Sequence, residues 1–208
     1  MKSLYLVRHG QTRWNAEQRL QGRMDSPLTV LGESHAANNA GWLAGEQISS
    51  LVASPLGRTR TTARIVAQRI GVAARFDDRL MERHCGAWEG LTLTEVAARW
   101  PGEYSAWRAD PFHCRPPGGE NLPDMMARVS ALLDALRASR HERTVIVSHG
   151  LIGRAMLTYL LSLDAAVANT VRQPNDLIYR LTFHAARVGC EHYRPGAGLT
   201  AGLFTPPA

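Results

Sequence analysis

The sequence predicts an α/β fold: a three-layer α/β/α sandwich whose mostly parallel, doubly wound sheet carries helices on both faces, with a small inserted lid region. Three observations predict it. Short apolar runs at 4–7, 48–53 and 144–147 have the continuous hydrophobicity of strands buried on both sides. Segments with helical periodicity separate them, and strands alternating with helices imply a parallel sheet covered on both faces. Two of the runs pass directly into His9-Gly10 and His149-Gly150, at the carboxyl ends of strands where such sheets bind their ligands.

Taken in order, Leu4 to Val7 is the first strand and feeds Arg8-His9-Gly10. A polar stretch from Gln11 to Pro27 follows. Thr29 then opens a pattern of Val30, Leu31, Ala36, Ala40 and Leu43 suited to an amphipathic helix that stops near Gly45. Ile48 to Ala53 is the second strand, Leu56 to Ile70 a helix ended by Gly71, and Val72 to Phe76 a short third strand. Arg79 to Asn121 is the least regular part: a helix from Thr94 to Trp100, an aromatic piece holding Tyr104, Trp107 and Phe112, and then Pro116-Pro117-Gly118-Gly119. This reads as a lid or substrate wall inserted between core elements. A helix from Pro123 to Ala138 leads to the strand at Thr144 to Val147, and another helix runs to Leu161. Ile178 to Phe183 alternates as a strand does and pairs with Val188 to Tyr193; its apolar edge would suit a homodimer. From Pro195 the Gly/Pro-rich tail is expected to be loosely ordered. Residues 1–208 thus read as one domain, with the lid at about 79–121 and the tail at 195–208.

Composition narrows the class of function. The chain has 208 residues, 45% hydrophobic and 20% charged, which is ordinary for a globular domain. It has neither a membrane span of about 20 apolar residues nor a signal-peptide pattern, so a cytoplasmic location without membrane partners is expected. Cys85, Cys114 and Cys190 are odd in number and lack any CxxC or Cys/His ligand spacing, which predicts free thiols and no zinc. The net charge is +6, and with Lys2 as the only lysine the basic residues are almost all arginine. Scattered arginines make a solvated surface, but a guanidinium also forks onto phosphate and keeps its proton. No basic cluster or aromatic-basic motif suggests nucleic acid. A small phosphorylated metabolite is the better-fitting partner.

The chemistry lies in a combination. Arg8-His9-Gly10 follows one strand, Arg58 and Arg60 open a helix after another, Glu82 is on a loop, and His149-Gly150 follows a third strand. These groups can converge on one phosphate. A phosphoryl group in transfer spreads negative charge over its equatorial oxygens, so it requires positioning, cations, and an acid for the departing oxygen. Arg8, Arg58 and His149 can supply cations, and the amides at the helix starts after His149 and Pro55 can supply further donors. His9 can attack phosphorus as a neutral imidazole. Glu82 is the natural proton donor, since a pocket beside bound phosphate would raise its pKa.

At these residues the sequence resembles the histidine phosphatase, or phosphoglycerate mutase-like, superfamily, whose hallmark is the Arg-His-Gly of LVRHGQTRWN. QGRMDSPLTVLG, SPLGRTRTTA, LMERHCGAWEG, PPGGENL and VIVSHG stand in that family's order and spacing, over about residues 3 to 165. The resemblance implies that His9 becomes phosphorylated, that Arg8, Arg58 and His149 cradle the phosphoryl group, and that Glu82 is general acid and base. It places phosphate and substrate contacts on Arg8, His9, Gly10, Gln11, Thr12 and Asn15, and on Gln21 and Gly22. It adds Arg58 and Arg60, then Glu82, Arg83, His84 and Cys85, and finally Gly150, Leu151 and Ile152 beside His149. Asn15 and Gln21 would be neutral donors. For Arg60 a plain surface position is an equal alternative, and for Trp88 and Trp107 ordinary packing competes with walling the pocket.

Within the superfamily the sequence looks closest to the bacterial phosphoglycerate mutase-like branch, where names say mutase while sequences look like phosphatases. Glu82-Arg83-His84 resembles the mutases, but Cys85 stands where they usually carry tyrosine. Trp88-Glu89-Gly90 and Pro117-Gly118-Gly119-Glu120 have the phosphatase look, and Arg108 and Arg115 are isolated where dedicated mutases carry adjacent arginines. The expectation is therefore a phosphomonoesterase without cofactor or metal, acting through phosphohistidine. The alternatives are a bisphosphoglycerate-dependent mutase and a non-catalytic phosphometabolite-binding module. No HxxxH or carboxylate-rich ligand spacing supports a metal.

Overall fold

The computed structural model describes residues 2–185 and 187–206. Among the described residues, seven strands form one sheet: β1 (Ser3–Arg8), β2 (Ser50–Ala53), β3 (Ala74–Phe76), β4 (Arg143–Ser148), β5 (Ile178–Phe183), β6 (Val188–Arg194) and β7 (Gly198–Ala201), in the spatial order β3-β2-β4-β1-β5-β6-β7. The sheet is mixed. β3, β2, β4 and β1 run parallel, whereas β1 to β5, β5 to β6 and β6 to β7 are antiparallel. The expected parallel arrangement therefore describes one half only. In the other half, β5-β6 and β6-β7 are sequential hairpins, which need no crossover helix, and β5 joins antiparallel to β1.

Strand periodicity generates the layers. Leu4, Leu6, Val52 and Ile146 point to one face and pack on α6 (Leu122–Ala138), α7 (Gly150–Leu161) and α8 (Ala165–Thr170). Tyr5, Val7, Leu51, Ala53, Val145 and Val147, each offset by one residue, point to the other face, against α2 (Val30–Leu43) and α3 (Gly57–Ile70). The α/β/α sandwich follows from that alternation. Helix starts are specified locally: the Thr29 side chain accepts from the Gly32 amide, and Asn121 and Asp124 form a reciprocal capping box with Pro123 in the first turn.

The segment between β3 and α6, expected as a lid, contains two consecutive helices, α4 (Leu93–Arg99) and α5 (Pro101–Ala109), around a small core of Cys85, Trp88 and Val96. Only the first was legible; Pro101 starts the second, as proline in a first turn can. A one-turn helix, α1 (Arg13–Ala16), was also not anticipated.

Two expectations are corrected on the antiparallel side. β5 is not an edge, because β1 and β6 flank it; the edges are β3 and β7. The tail expected to be loose forms β7 through a hairpin whose register pairs Arg194 with Gly198. Gly196 (φ 82°) and Gly198 (φ 76°) adopt the left-handed backbone of that turn, so these glycines are turn chemistry. Residues 207–208 of the tail lie outside the described residues.

Candidate active site

Strand register brings the central residues together. With Val7 opposite Val147 and Arg8 opposite Ser148, the next residues, His9 and His149, leave the sheet side by side. The His9 amide donates to the Ser148 carbonyl at 2.9 Å, and the two rings meet edge to face with centroids 5.2 Å apart. Ser54 follows β2 on the other side of β4, where its amide donates to the Val147 carbonyl at 3.0 Å.

His9 is 2% exposed. Its Nδ1 lies 2.8 Å from the Gly10 carbonyl oxygen, which can only accept, so Nδ1 carries the proton and Nε2 keeps its lone pair. Burial, then the charges of Arg8 and Arg58, hold its pKa well below the usual 6.5. The ring is neutral and oriented, the state a histidine nucleophile requires. Gly10 permits a close crossing: a Cβ there would stand 2.0 Å from the Gly32 carbonyl oxygen.

Arg58 is equally buried, and four of the five N–H donors of its guanidinium are engaged. Nε donates to His149 Nδ1 at 3.1 Å, Nη1 to the Met24 carbonyl at 2.7 Å and to Asp25 Oδ1 at 3.0 Å, and Nη2 to the Gly22 carbonyl at 2.8 Å. One Nη2 hydrogen remains. Arg8 donates from Nη1 to the Gln173 carbonyl at 2.8 Å, while its buried Nε has no partner.

The hydrogen-bond directions correct the expectation for His149. Because Arg58 Nε can only donate, His149 Nδ1 accepts; its proton is on Nε2, 2.8 Å from Ser54 Oγ. Burial, then the Arg58 charge, pushes its pKa far down. His149 is thus a neutral ring with both nitrogens occupied, holding Arg58 in place, and is not a cation.

Glu82 is fixed by backbone. The Arg83 and Ile152 amides donate to Oε1 at 2.9 and 3.0 Å, and the Leu151 amide to Oε2 at 3.2 Å. At the start of α3, the Arg58 amide donates to both Asp25 oxygens at 3.2 Å. Both helix starts expected to offer amides to a substrate anion therefore hold carboxylates of the chain itself, as the positive end of a helix favours.

Arg8, His9, Arg58 and Glu82 share a cavity of about 240 Å³ with Asn15, Gln21, Gly22, Cys85, Gly150 and Leu151. Gln21 Oε1 is buried without a partner. Burial raises the Cys85 pKa, so it is a thiol there. The remaining expected residues stand back from this cavity. Thr12 caps α1, in a capping box with the cavity-lining Asn15, Gln11 Oε1 accepts from the Thr29 hydroxyl, and the Gly10 amide donates to Thr62 Oγ1. His84 Nδ1 contacts the Gly118 carbonyl, and Ile152 is fully buried. Arg60 points away, donating to the Pro55 carbonyl with its guanidinium 4.1 Å over the Phe76 ring. Two residues beyond Arg58, it occupies another helix face. Trp88 packs in the small third core, whereas Trp107 and Arg83 line an adjoining cavity.

Arg19, Arg154, Arg172 and Gln173 also line the first cavity, and none was singled out from sequence. Arg154 had a readable signal: on a helix starting at Gly150 it lies one turn beyond Gly150 and Leu151, on their face. Arg172 and Gln173, on the connection between α8 and β5, had none. Among the described residues, no group of three or more His, Cys, Asp or Glu side chains could hold a metal ion, and no helix is long and apolar enough to cross a membrane.

The sequence profile of the histidine phosphatase superfamily (branch 1) matches residues 4–194. The probable phosphoglycerate mutase GpmB of Shigella boydii is 38% identical over 187 residues, covering 88% of this chain and 86% of that protein. Among solved structures, a mycobacterial glucosyl-3-phosphoglycerate phosphatase in complex with VO3 superposes with a TM-score of 0.82 at 33% identity, covering 91% of this chain and 97% of that one. The α-ribazole phosphatase of Shigella flexneri, at 23% identity, shares the fold with a TM-score of 0.83 over 98% of this chain and 96% of its own.

Proposed function

The chain belongs to the histidine phosphatase superfamily (branch 1), and from that premise we propose that it is a phosphomonoesterase of small phosphorylated metabolites working through phosphohistidine at His9. The observation that carries this reading is the His9 ring: neutral, with Nδ1–H held on the Gly10 carbonyl and Nε2 left as nucleophile in a cavity shared with the guanidinium groups of Arg8 and Arg58. In the first step Nε2 forms a bond to phosphorus as the bond to the ester oxygen breaks. Arg8 Nε–H and the remaining Arg58 Nη2–H meet the equatorial oxygens, and protonated Glu82 gives its proton to the departing alcohol. In the second, water attacks phosphorus, Glu82 takes a proton from it, and His9 leaves as the neutral imidazole with inorganic phosphate as product. Neither step needs a charge on His149.

Rapid-quench labelling with a phosphomonoester tests this. An acid-labile, base-stable phosphoenzyme at His9 that turns over with phosphate release is expected, and none with His9→Ala. Undiminished hydrolysis by His9→Ala would sink the reading.

One observation favours the mutase as a second reading. The sequence argued against it for want of a second guanidinium cluster, and Arg83, Arg154 and Arg172 line one connected hollow beside the phosphoryl cavity. Hydrolysis remains the first reading, supported by the likeness to the mycobacterial phosphatase over 97% of its length. Product analysis with 3-phosphoglycerate separates them: glycerate and phosphate for hydrolysis, 2-phosphoglycerate for the mutase.

A further inference from the structure

The motif Pro117-Gly118-Gly119-Glu120 does not border the phosphoryl cavity; it lies against the loop that carries Glu82. The Ala87 amide donates to the Pro117 carbonyl at 3.0 Å. Residues 84 and 120 exchange hydrogen bonds: the Glu120 amide donates to the His84 carbonyl at 2.8 Å, and the His84 amide donates to Glu120 Oε2 at 2.8 Å. Two glycines allow so close an approach. A Cβ on Gly86 would stand 2.0 Å from the Pro117 carbonyl oxygen, and one on Gly119 would stand 2.6 Å from that of His84.

The Glu120 carboxylate is itself gripped from α6. Arg128, in the second turn of that helix, donates from Nε to Oε1 at 2.8 Å and from Nη2 to Oε2 at 3.0 Å, the forked geometry that a guanidinium offers a carboxylate. Nη1 of the same guanidinium donates to the Arg79 carbonyl at 2.7 Å and to the Met81 carbonyl at 3.0 Å. Between those two, the Leu80 carbonyl accepts from Ser148 Oγ at 2.8 Å, and the Leu80 side chain is buried in the large core. Glu82 is therefore bracketed, with the Met81 carbonyl on one side and the His84 amide on the other both tied to one ion pair. The side chains of Glu120 and Arg128 are 18% and 17% exposed, sheltered enough that loss of one partner costs more than it would at the surface. Arg23 adds a more exposed cation 3.5 Å from Glu120 Oε1.

Two mounts thus act on Glu82: amides of α7 hold its carboxylate, and the Glu120–Arg128 pair holds its backbone to α6. A proton donor must come within hydrogen-bond reach of the departing oxygen, and small errors of placement are costly in rate. We infer that Glu120 and Arg128 are positioning residues, which touch no substrate and aim Glu82 at the leaving group. The inference rests on the reading of Glu82 as proton donor and adds what places it.

Single-turnover phosphorylation of His9 by 3-phosphoglycerate, an alkyl phosphate, and by p-nitrophenyl phosphate tests it, together with vanadate affinity. Arg128→Met should slow the alkyl reaction about tenfold or more and the p-nitrophenyl reaction less than about threefold, because only the alkyl oxygen needs the proton. Vanadate affinity should stay within about twofold of wild type, since Arg8, His9 and Arg58 keep their places. Arg128→Lys, which keeps the charge and a donor, should recover part of the alkyl rate. In a Glu82→Gln background Arg128→Met should add little, as residues that act through one another are not additive. Should Arg128→Met fold poorly, Glu120→Gln gives the same comparison, because it keeps an acceptor for the His84 amide and breaks the fork onto Arg128. Rates unchanged or slowed equally on both substrates, or a full further loss on top of Glu82→Gln, would overturn the inference and leave the general acid standing. Equal losses on both substrates in Glu82→Gln itself would retire the acid and the inference together.

Discussion

Glu82 shows how a residue's job depends on what holds it. Its carboxylate is pinned by three backbone amides, two of them at the start of α7, and still borders the phosphoryl cavity. Glutamine in its place keeps one acceptor oxygen for those amides and loses the transferable proton. A departing alkyl alcohol needs that proton, whereas p-nitrophenolate leaves without it. Glu82→Gln should therefore slow phosphorylation of His9 by about 100-fold with alkyl phosphates and far less with p-nitrophenyl phosphate, as read by single-turnover kinetics. Equal losses on both would make Glu82 a purely structural cap. The convergence of His9 and Arg58 was legible in the sequence because one ends a strand and the other opens a helix, whereas Glu82, on a loop, was legible through its motif. The role of His149 was not, because it turns on which partner donates: an arginine Nε–H on Nδ1 makes the ring an acceptor, and no spacing encodes that. Arg172 was illegible for a different reason, since it reaches the cavity from a connection more than 160 residues after His9.

At the scale of elements, the start of α3 works as a mount for Arg58. Asp25, on the loop after α1, accepts from the Arg58 amide and from its Nη1, fixing backbone and guanidinium with one carboxylate. Asp25→Ala should weaken vanadate inhibition about tenfold, the scale of one charge-assisted hydrogen bond, and Asp25→Asn, which keeps an acceptor, should recover part of it. Unchanged vanadate affinity in Asp25→Ala would mean that Met24, Gly22 and His149 hold Arg58 unaided. The parallel strands and the helices α2, α3, α6 and α7 were legible from hydrophobic period, reinforced at α2 and α6 by capping residues, whereas the short α8 was not anticipated. The tail was not: glycine and proline read as looseness when a hairpin uses the same residues. Past β7 the Phe204 amide donates to the Tyr179 hydroxyl, and Leu203 and Phe204 pack on the large core. Removal of residues 195–208 should lower the Tm by several degrees and leave β6 as an unpaired edge prone to association, measurable by calorimetry and light scattering. A truncated chain that melts with the full-length protein would restore the loose-tail expectation.

For the molecule as a whole, the site sets how stability depends on pH. His9 and His149 are buried at the centre of the sheet's carboxyl edge, and burial with the neighbouring arginine charges keeps both pKa values well below 6.5. Once unfolded, both rings regain the ordinary value of about 6.5. Below that pH the unfolded chain binds protons that the folded protein refuses, so the contribution of these rings is fully present above about pH 6.5 and is lost as the pH falls. The carboxylates held low by arginines or amides, Asp77, Glu120 and Asp124 among them, act in a separate window, because theirs is lost only as the pH drops through and below the usual carboxylate range of about 4. Between pH 7.5 and 5.5 the Tm should therefore fall by several degrees, with uptake of up to about two protons on unfolding, whereas the acid-labile ion pairs remain intact. Vanadate should not abolish this slope so long as it binds the neutral His9, but it should raise the Tm at every pH by its binding free energy to the folded state. Calorimetry in buffers of different ionisation enthalpy counts the protons directly. A Tm independent of pH over that interval, or no proton uptake, would show that the two rings take up protons in the folded protein as readily as in the unfolded chain, and would remove the suppressed protonation that keeps the His9 nucleophile neutral.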